Sequence, residues 1–267
     1  MAPDTRMRAA MTIAGSDSGG GAGIQADLKT FAAHGVFGTS AITALTAQNT
    51  QGVTRVWPVD AGMVRAQIDT VLDDLTIDAI KIGMLANAAI ATVVADAIEA
   101  HAALPVVLDT VMVAKGGARL LDEAAVAVIG ERLLRRSTLV TANVPEAEVL
   151  TGLTMRTVED LGRAARQLVD DGVPAALVKG GHIEGEAVDV FYDGRDLIEL
   201  RAVRIDTRHT HGTGCTLAAA IAAEIALGRP LLEAVERAKR YVTRAIENAP
   251  GIGHGHGPLG WGPALVG

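Results

Sequence analysis

The chain has one cysteine, Cys215, in 267 residues, so no disulfide can form within it. A lone thiol fits a reducing compartment, and the cytoplasm is the expected location. Aromatic residues are scarce, at 3%, although hydrophobic residues reach 49%. A core of Ala, Val, Ile and Leu suits helices packed on a buried parallel sheet. Positive charge is in deficit, since 24 Lys and Arg against 31 Asp and Glu leave a net charge of −7. Nothing in that balance draws the chain to nucleic acid or to an anionic membrane. Long apolar runs are missing too, because uncharged stretches such as 35–54 are filled with Thr, Gln, Asn and Gly. Hydrocarbon rejects such residues, so no membrane span is expected. Residues 1–10 lack the apolar region of a signal peptide.

What is present is alternation. Short apolar runs at 9–14, 39–45, 79–82, 106–109, 139–141 and 175–179 read as strands. Helical patterns at 24–34, 61–75, 88–102, 123–134 and 158–171 lie between them, the arrangement of repeated βαβ units around a parallel sheet. Residues 187–192 and 197–203 flank Asp193-Gly194 as the arms of an antiparallel hairpin. Two further helices, 213–227 and 231–247, precede a Gly- and Pro-rich, irregular tail at 251–262. No linker or repeat divides the chain, so residues 1–267 read as a single α/β domain.

Ligands of an open parallel sheet gather beyond the carboxyl ends of its strands, and polar residues recur there. The first strand leads into Ala14-Gly15-Ser16-Asp17-Ser18-Gly19-Gly20-Gly21-Ala22-Gly23, with Asp27 in the helix that follows. This loop is not a Walker A motif, for no Gly-Lys-Ser/Thr follows. Its glycines let backbone approach a small flat ligand; a flexible loop with a solvated Asp27 is the alternative. Gln48, after the second strand, offers a donor and an acceptor to an amino-heterocycle, and Met84, after the third, an adaptable apolar contact. Each also reads as an ordinary solvated or core residue. Asp109 and Glu146 follow neighbouring strands and could hold Mg²⁺ through water, with Asn143 orienting the shell. Asn143 and Glu146 equally read as a helix cap and its capping-box partner. Lys179, before Gly180-Gly181, can meet phosphate oxygens or snorkel at the surface. Finally, His211-Gly212-Thr213-Gly214-Cys215 precedes an Ala-rich helix. Free N–H groups and the macrodipole at such a terminus favour an anion, and would also depress the thiol pKa of Cys215; a buried, inert thiol is the alternative. A zinc site is set aside, since His209, His211, His254 and His256 have no second cysteine and no ligand pair at helical spacing.

The segments AGSDSGGGAGIQAD (14–27), TAQNT (46–50), KIGML (81–85), VKGGH (178–182), THGTGC (210–215) and GHGHGP (253–258) span nearly the whole chain. Through them it resembles the hydroxymethylpyrimidine and phosphomethylpyrimidine kinases of thiamine biosynthesis, in the ribokinase-like superfamily. The resemblance implies a three-layer αβα sandwich with a mostly parallel central sheet, acting as a homodimer. It implies a pyrimidine site at Gly15, Asp27, Gln48 and Met84, and Mg²⁺ at Asp109 and Glu146. Lys179 and Thr210 would face the ATP phosphates, with Asn143 beside them. Gly212, Thr213 and Gly214 would form the anion hole, and Cys215 would take the place of the catalytic base. Two departures stand out. The family's Asp-Pro-Val-Met is Asp109-Thr110-Val111-Met112 here, and its Thr-Pro-Asn is Thr141-Ala142-Asn143; each lost proline releases a φ constraint beside a functional side chain.

The expected reaction moves the ATP γ-phosphoryl to the 5-hydroxymethyl group of 4-amino-2-methylpyrimidine, then to the resulting phosphate. The nearest rival is pyridoxal kinase. More distant ones are a cysteine hydrolase using His209 or His211 as base and a non-catalytic sensor.

Overall fold

A computed structural model describes residues 6–112, 123–181, 183, 185–262 and 265–266. Nine strands form one sheet in the order β3-β2-β1-β4-β5-β6-β7-β8-β9. Six run parallel: β1 (Ala9–Asp17), β2 (Phe37–Asn49), β4 (Ala79–Ile82), β5 (Val106–Asp109), β6 (Leu139–Asn143) and β7 (Ala176–Lys179). At the edges β3 (Gly52–Pro58) is antiparallel to β2, and β8 (Ala187–Tyr192) and β9 (Leu197–Ala202) form the expected hairpin. Asp193 Oδ1 closes its turn by accepting from the Arg195 and Asp196 N–H groups.

Helices cover both faces, which is why β4 and β5 are buried at every position. One face packs against α2 (Ala61–Asp74), α3 (Ala88–Ala100), α4 (Glu123–Val128), α5 (Val144–Thr151) and α6 (Val158–Asp170). The other packs against α1 (Gly23–Ala33), α7 (Thr213–Ala226) and α8 (Leu231–Glu247). The layers are those of an αβα sandwich. In α7 the run Thr216–Ala223 is buried all round, and its alanines let α1, α8 and the sheet close on one helix. By contrast, α8 buries only the stripe Ala234, Val235, Ala238, Tyr241, Val242 and Ala245, the spacing of an amphipathic helix.

Three departures from the predicted elements have physical causes. The helix expected over 123–134 is α-helical only to Val128, then widens into a π turn over Ile129–Leu133 and tightens at Leu134–Arg136. The strand β3 was not anticipated; it is solvent-facing along most of its length and carries no alternating pattern. The helix α5 also escaped prediction, and it begins with the capping box weighed for Asn143 and Glu146: each side chain accepts from the other's backbone N–H, at 3.0 and 2.8 Å.

Candidate active site

The carboxyl ends of the parallel strands open into a cavity. Its wall includes Gly15, Asp17, Gln48, Lys81, Met84, Asp109, Asn143, Glu146, Lys179, His211, Gly212, Gly214 and Cys215. Strand register sets these side by side, with Asn143 opposite Lys179 and Asp109 opposite Thr141. At Gly15 the β1–β2 register slips, and a Cβ there would stand 3.2 Å from Met84 Sδ. Glycine therefore lets the Met84 thioether lie against the β1 backbone.

Asp17 organises the glycine loop. Its Oδ1 accepts from Gly19 N–H (2.8 Å), and its Oδ2 accepts from Gly21 N–H (3.0 Å) and Ala22 N–H (2.9 Å). The same Oδ2 lies 2.8 Å from His211 Nε2, and that nitrogen lies 3.2 Å from the Gln48 side-chain amide. Burial pushes the Asp17 carboxyl up, but the His211, Gly19 and Ala22 contacts outweigh it and hold Asp17 below the usual carboxylate range.

Gly212 begins α7 at φ +85°, and a Cβ on it would sit 1.8 Å from the Gly21 carbonyl oxygen. The glycine loop and the helix terminus thus meet backbone to backbone, leaving the first N–H groups of α7 beside the cavity. Gly214 yields similar room on the other side, where its Cβ would meet Lys179 Nζ at 3.3 Å. Lys179 Nζ donates to Asp109 Oδ1 at 2.8 Å, and Thr141 Oγ1 donates to the same oxygen at 2.9 Å. Burial alone would lower the Lys179 pKa, yet the charges of Asp109 and Glu146 raise it above the ordinary lysine value. Burial likewise opposes Asp109, but Lys179 and Lys81 hold its carboxyl down. Glu146 goes the other way, since burial and the Asp109 charge exceed the pull of Lys179 and raise it.

Cys215 reverses an expectation. Burial pushes its thiol up to about 11, helped by the Asp27 and Asp109 carboxylates, against the Lys81 ammonium and the Gly23 N–H. Desolvation beside two carboxylates exceeds the benefit of a helix N-terminus, so the resting group is a thiol.

Asp27 also departs from its expected place. Its side chain is fully buried beneath the cavity, accepting from Lys81 Nζ (2.8 Å) and Thr12 Oγ1 (2.6 Å), and it is not part of the lining. An ion pair so deep lasts because each charge compensates the other's desolvation. Thr210 and Thr213 stand outside the lining as well, in the turn that enters α7, where Thr213 Oγ1–H donates to the Thr210 carbonyl (2.8 Å). Three titratable lining residues had no role in the sequence reading: Asp17, Lys81 and, in this capacity, His211. Lys81 lay within the quoted KIGML segment, and a lysine inside an otherwise apolar strand was its available signal. His182 of the VKGGH segment lies outside the described residues. The tail is irregular but held, with Gly255 N–H and His256 N–H donating to Thr50 Oγ1 and O, and His211 N–H donating to Gly257 O.

The chain is 51% identical to the hydroxymethylpyrimidine/phosphomethylpyrimidine kinase of Bacillus subtilis (strain 168), over 93% of each chain. It is 49% identical to a thiamine biosynthesis bifunctional protein of Geobacter sulfurreducens, over 93% of this chain and 51% of that one. Among solved structures, the ADP complex of Bacillus subtilis pyridoxal kinase superposes with a TM-score of 0.89 at 39% identity, covering 96% of this chain and 98% of that one. That likeness makes the fold ribokinase-like. A family model described as phosphomethylpyrimidine kinase matches residues 17–260, from the aspartate of the glycine loop to just past the Gly-His tail. Since that match spans most of the chain, the chain belongs to the phosphomethylpyrimidine kinase family.

Proposed function

We propose that the chain phosphorylates 4-amino-5-hydroxymethyl-2-methylpyrimidine with ATP, and then phosphorylates the monophosphate to the diphosphate, as a step of thiamine diphosphate biosynthesis. The observation that carries this reading is the family match over residues 17–260, joined to one cavity that brings Gln48 and Met84 together with Lys179 and the start of α7. Gln48, Met84 and Gly15 would bind the pyrimidine. Asp27 would act from beneath, by fixing the Lys81 ammonium.

Phosphoryl transfer asks a protein mainly for positioning and charge stabilisation. The N–H groups of Gly212, Thr213, Gly214 and Cys215 would receive the transferring phosphoryl oxygens. Lys179 would face the same oxygens, with Asn143 and Thr210 bordering the nucleotide. In the first reaction the hydroxymethyl O–H bond breaks as the oxygen attacks phosphorus, and the proton passes to the Cys215 sulfur when that sulfur is a thiolate. The second acceptor is already an anionic phosphate, so no such base is needed.

Asp109 and Glu146 are suited to Mg²⁺ by their chemistry, since both are buried carboxylates on one cavity beside a lysine. No group of three or more His, Cys, Asp or Glu that could hold a metal ion occurs among the described residues. That donor set matches an ion bound largely through water and phosphate oxygens rather than a protein cage. When bound, Mg²⁺ would neutralise charge on the nucleotide phosphates.

Residues 1–267 would act as one catalytic domain, as a homodimer in the cytoplasm. Exposed Leu45, Val56 and Trp57 on the β2–β3 ribbon give a second copy an apolar face to cover. Among the described residues no helix is long and apolar enough to cross a membrane. The test is incubation with ATP, Mg²⁺ and hydroxymethylpyrimidine or its monophosphate, with product identification, beside a parallel assay on pyridoxal. Turnover of pyridoxal alone would replace this reading with the rival kinase.

A further inference from the structure

The contacts around His211 contain a donor and acceptor problem with one solution. Asp17 receives three backbone N–H groups and is held in its charged form, so it can only accept. His211 Nε2, 2.8 Å from Asp17 Oδ2, must therefore carry the proton and donate it. The Gln48 atom that stands 3.2 Å from the same nitrogen is Nε2, with Oε1 turned to Thr46; that sets donor against donor, and the amide turned over, with Oε1 toward His211, removes the clash. Thr46 tests this assignment from the opposite end. Its hydroxyl lies 2.9 Å from the Ser16 carbonyl and 3.1 Å from the other atom of the Gln48 amide. One hydroxyl proton cannot serve two acceptors at full strength. With the Gln48 NH2 turned to Thr46, the hydroxyl donates to Ser16 and accepts from Gln48, while the single His211 N–H donates chiefly to Asp17 Oδ2 at 2.8 Å and shares a weaker, three-centre contact with Gln48 Oε1.

We propose that Asp17, acting through His211, locks the Gln48 amide in one orientation and thereby fixes which edge of the heterocycle the site accepts. Asp17 and His211 are positioning residues. After their contacts are made, Gln48 keeps one N–H and one lone pair of Oε1 for a ligand. A rotated amide would offer the same two groups in reversed order, the wrong order for an aminopyrimidine edge matched to the first. His211 immediately precedes Gly212, so the acceptor site and the anion turn share this anchor. The proposal rests on the reading of Gln48 as the pyrimidine contact.

Two measurements test it. The first is the ¹⁵N spectrum of histidine-labelled protein without ligands, with His211 assigned by loss of its signal in His211→Gln. A protonated Nε2 is expected; an unprotonated Nε2 overturns the proposal whatever the substrate proves to be. The second is steady-state kinetics of His211→Gln, which retains a donor near the Nε2 position, and His211→Leu, which fills space without one. We expect His211→Leu to raise KM for hydroxymethylpyrimidine at least tenfold while KM for ATP stays within twofold, and His211→Gln to recover most of that loss. Equal behaviour of the two variants, or an equal rise in KM for ATP, would mean simple packing and overturn it. Absence of turnover in the unmodified protein would defeat the functional reading instead, leaving the spectrum to decide the amide lock.

Discussion

Lys179 Nζ and Asp109 Oδ1 form an ion pair of 2.8 Å across the ends of β7 and β5, with side-chain exposures of 14% and 2%. Removing either partner leaves the other charge nearly out of water, which costs about 3–5 kcal/mol for a buried pair. Lys179→Met should therefore lower stability and abolish measurable turnover. The double variant Lys179→Met/Asp109→Asn should regain much of the stability and none of the turnover. Urea unfolding and a coupled ADP assay check both halves; recovered activity in the double variant would mean that neither side chain serves the reaction.

The high thiol pKa of Cys215, about 11, predicts a pH dependence of definite sign. Below that value the proton-accepting thiolate grows about tenfold per pH unit. Single-turnover rates with hydroxymethylpyrimidine should climb from pH 7 to 9. Rates with the monophosphate should stay nearly flat, since its phosphate is already mostly dianionic there. Cys215→Ala should flatten the first profile and leave the second nearly intact. Equal losses on both acceptors would remove Cys215 from the role of base.

Gly212 and Gly214 should respond differently to a methyl group. At Gly212 the new Cβ would collide with the Gly21 carbonyl oxygen from a left-handed backbone, whereas at Gly214 it would stand 3.3 Å from Lys179 Nζ and in ordinary contact with the Asp109 carboxylate, with no backbone in its way. Gly212→Ala should lower Tm and reduce kcat by roughly 10²–10³, the loss expected when an anion-hole donor is misplaced. Gly214→Ala should keep Tm within a few degrees and slow turnover less. Calorimetry with kinetics on the pair tests the ranking.

His34 lies against Tyr241 with ring centroids 4.6 Å apart, and burial lowers its pKa against the opposing pull of its Thr30 hydrogen bond and the Glu224 charge. The unfolded chain therefore binds a proton near pH 6.5 that the folded chain refuses. Stability from this site is complete above about pH 6.5 and is lost as pH falls below it. Tm should fall between pH 7 and 5, and His34→Phe should shrink that fall. An unchanged slope would assign the acid sensitivity elsewhere.

Much of the architecture was legible because strands buried on both faces announce themselves as short apolar runs, as at 79–82, 106–109 and 187–192, whose bounds the structure reproduces. The strand β3 escaped for the opposite reason, since pairing with β2 rather than burial holds it. Gln48, Met84 and Lys179 drew notice because apolar runs lead into them, and the structure places all three on the cavity wall, Gln48 and Lys179 in the last residues of β2 and β7 and Met84 two residues past β4. Burial at Asp27 and the thiol state of Cys215 were not, because both depend on Lys81 and Asp109, which other strands deliver. The His211–Gln48 contact joins residues 163 apart in sequence, and no local pattern encodes it.

The Gly-His tail ties Thr50 at the end of β2 to the backbone of His211 before α7. During synthesis all nine strands leave the ribosome well before residues 253–258 do. The sheet can assemble on the growing chain, but the Thr50 and His211 sides of the cavity are tied together only once this later segment has been made.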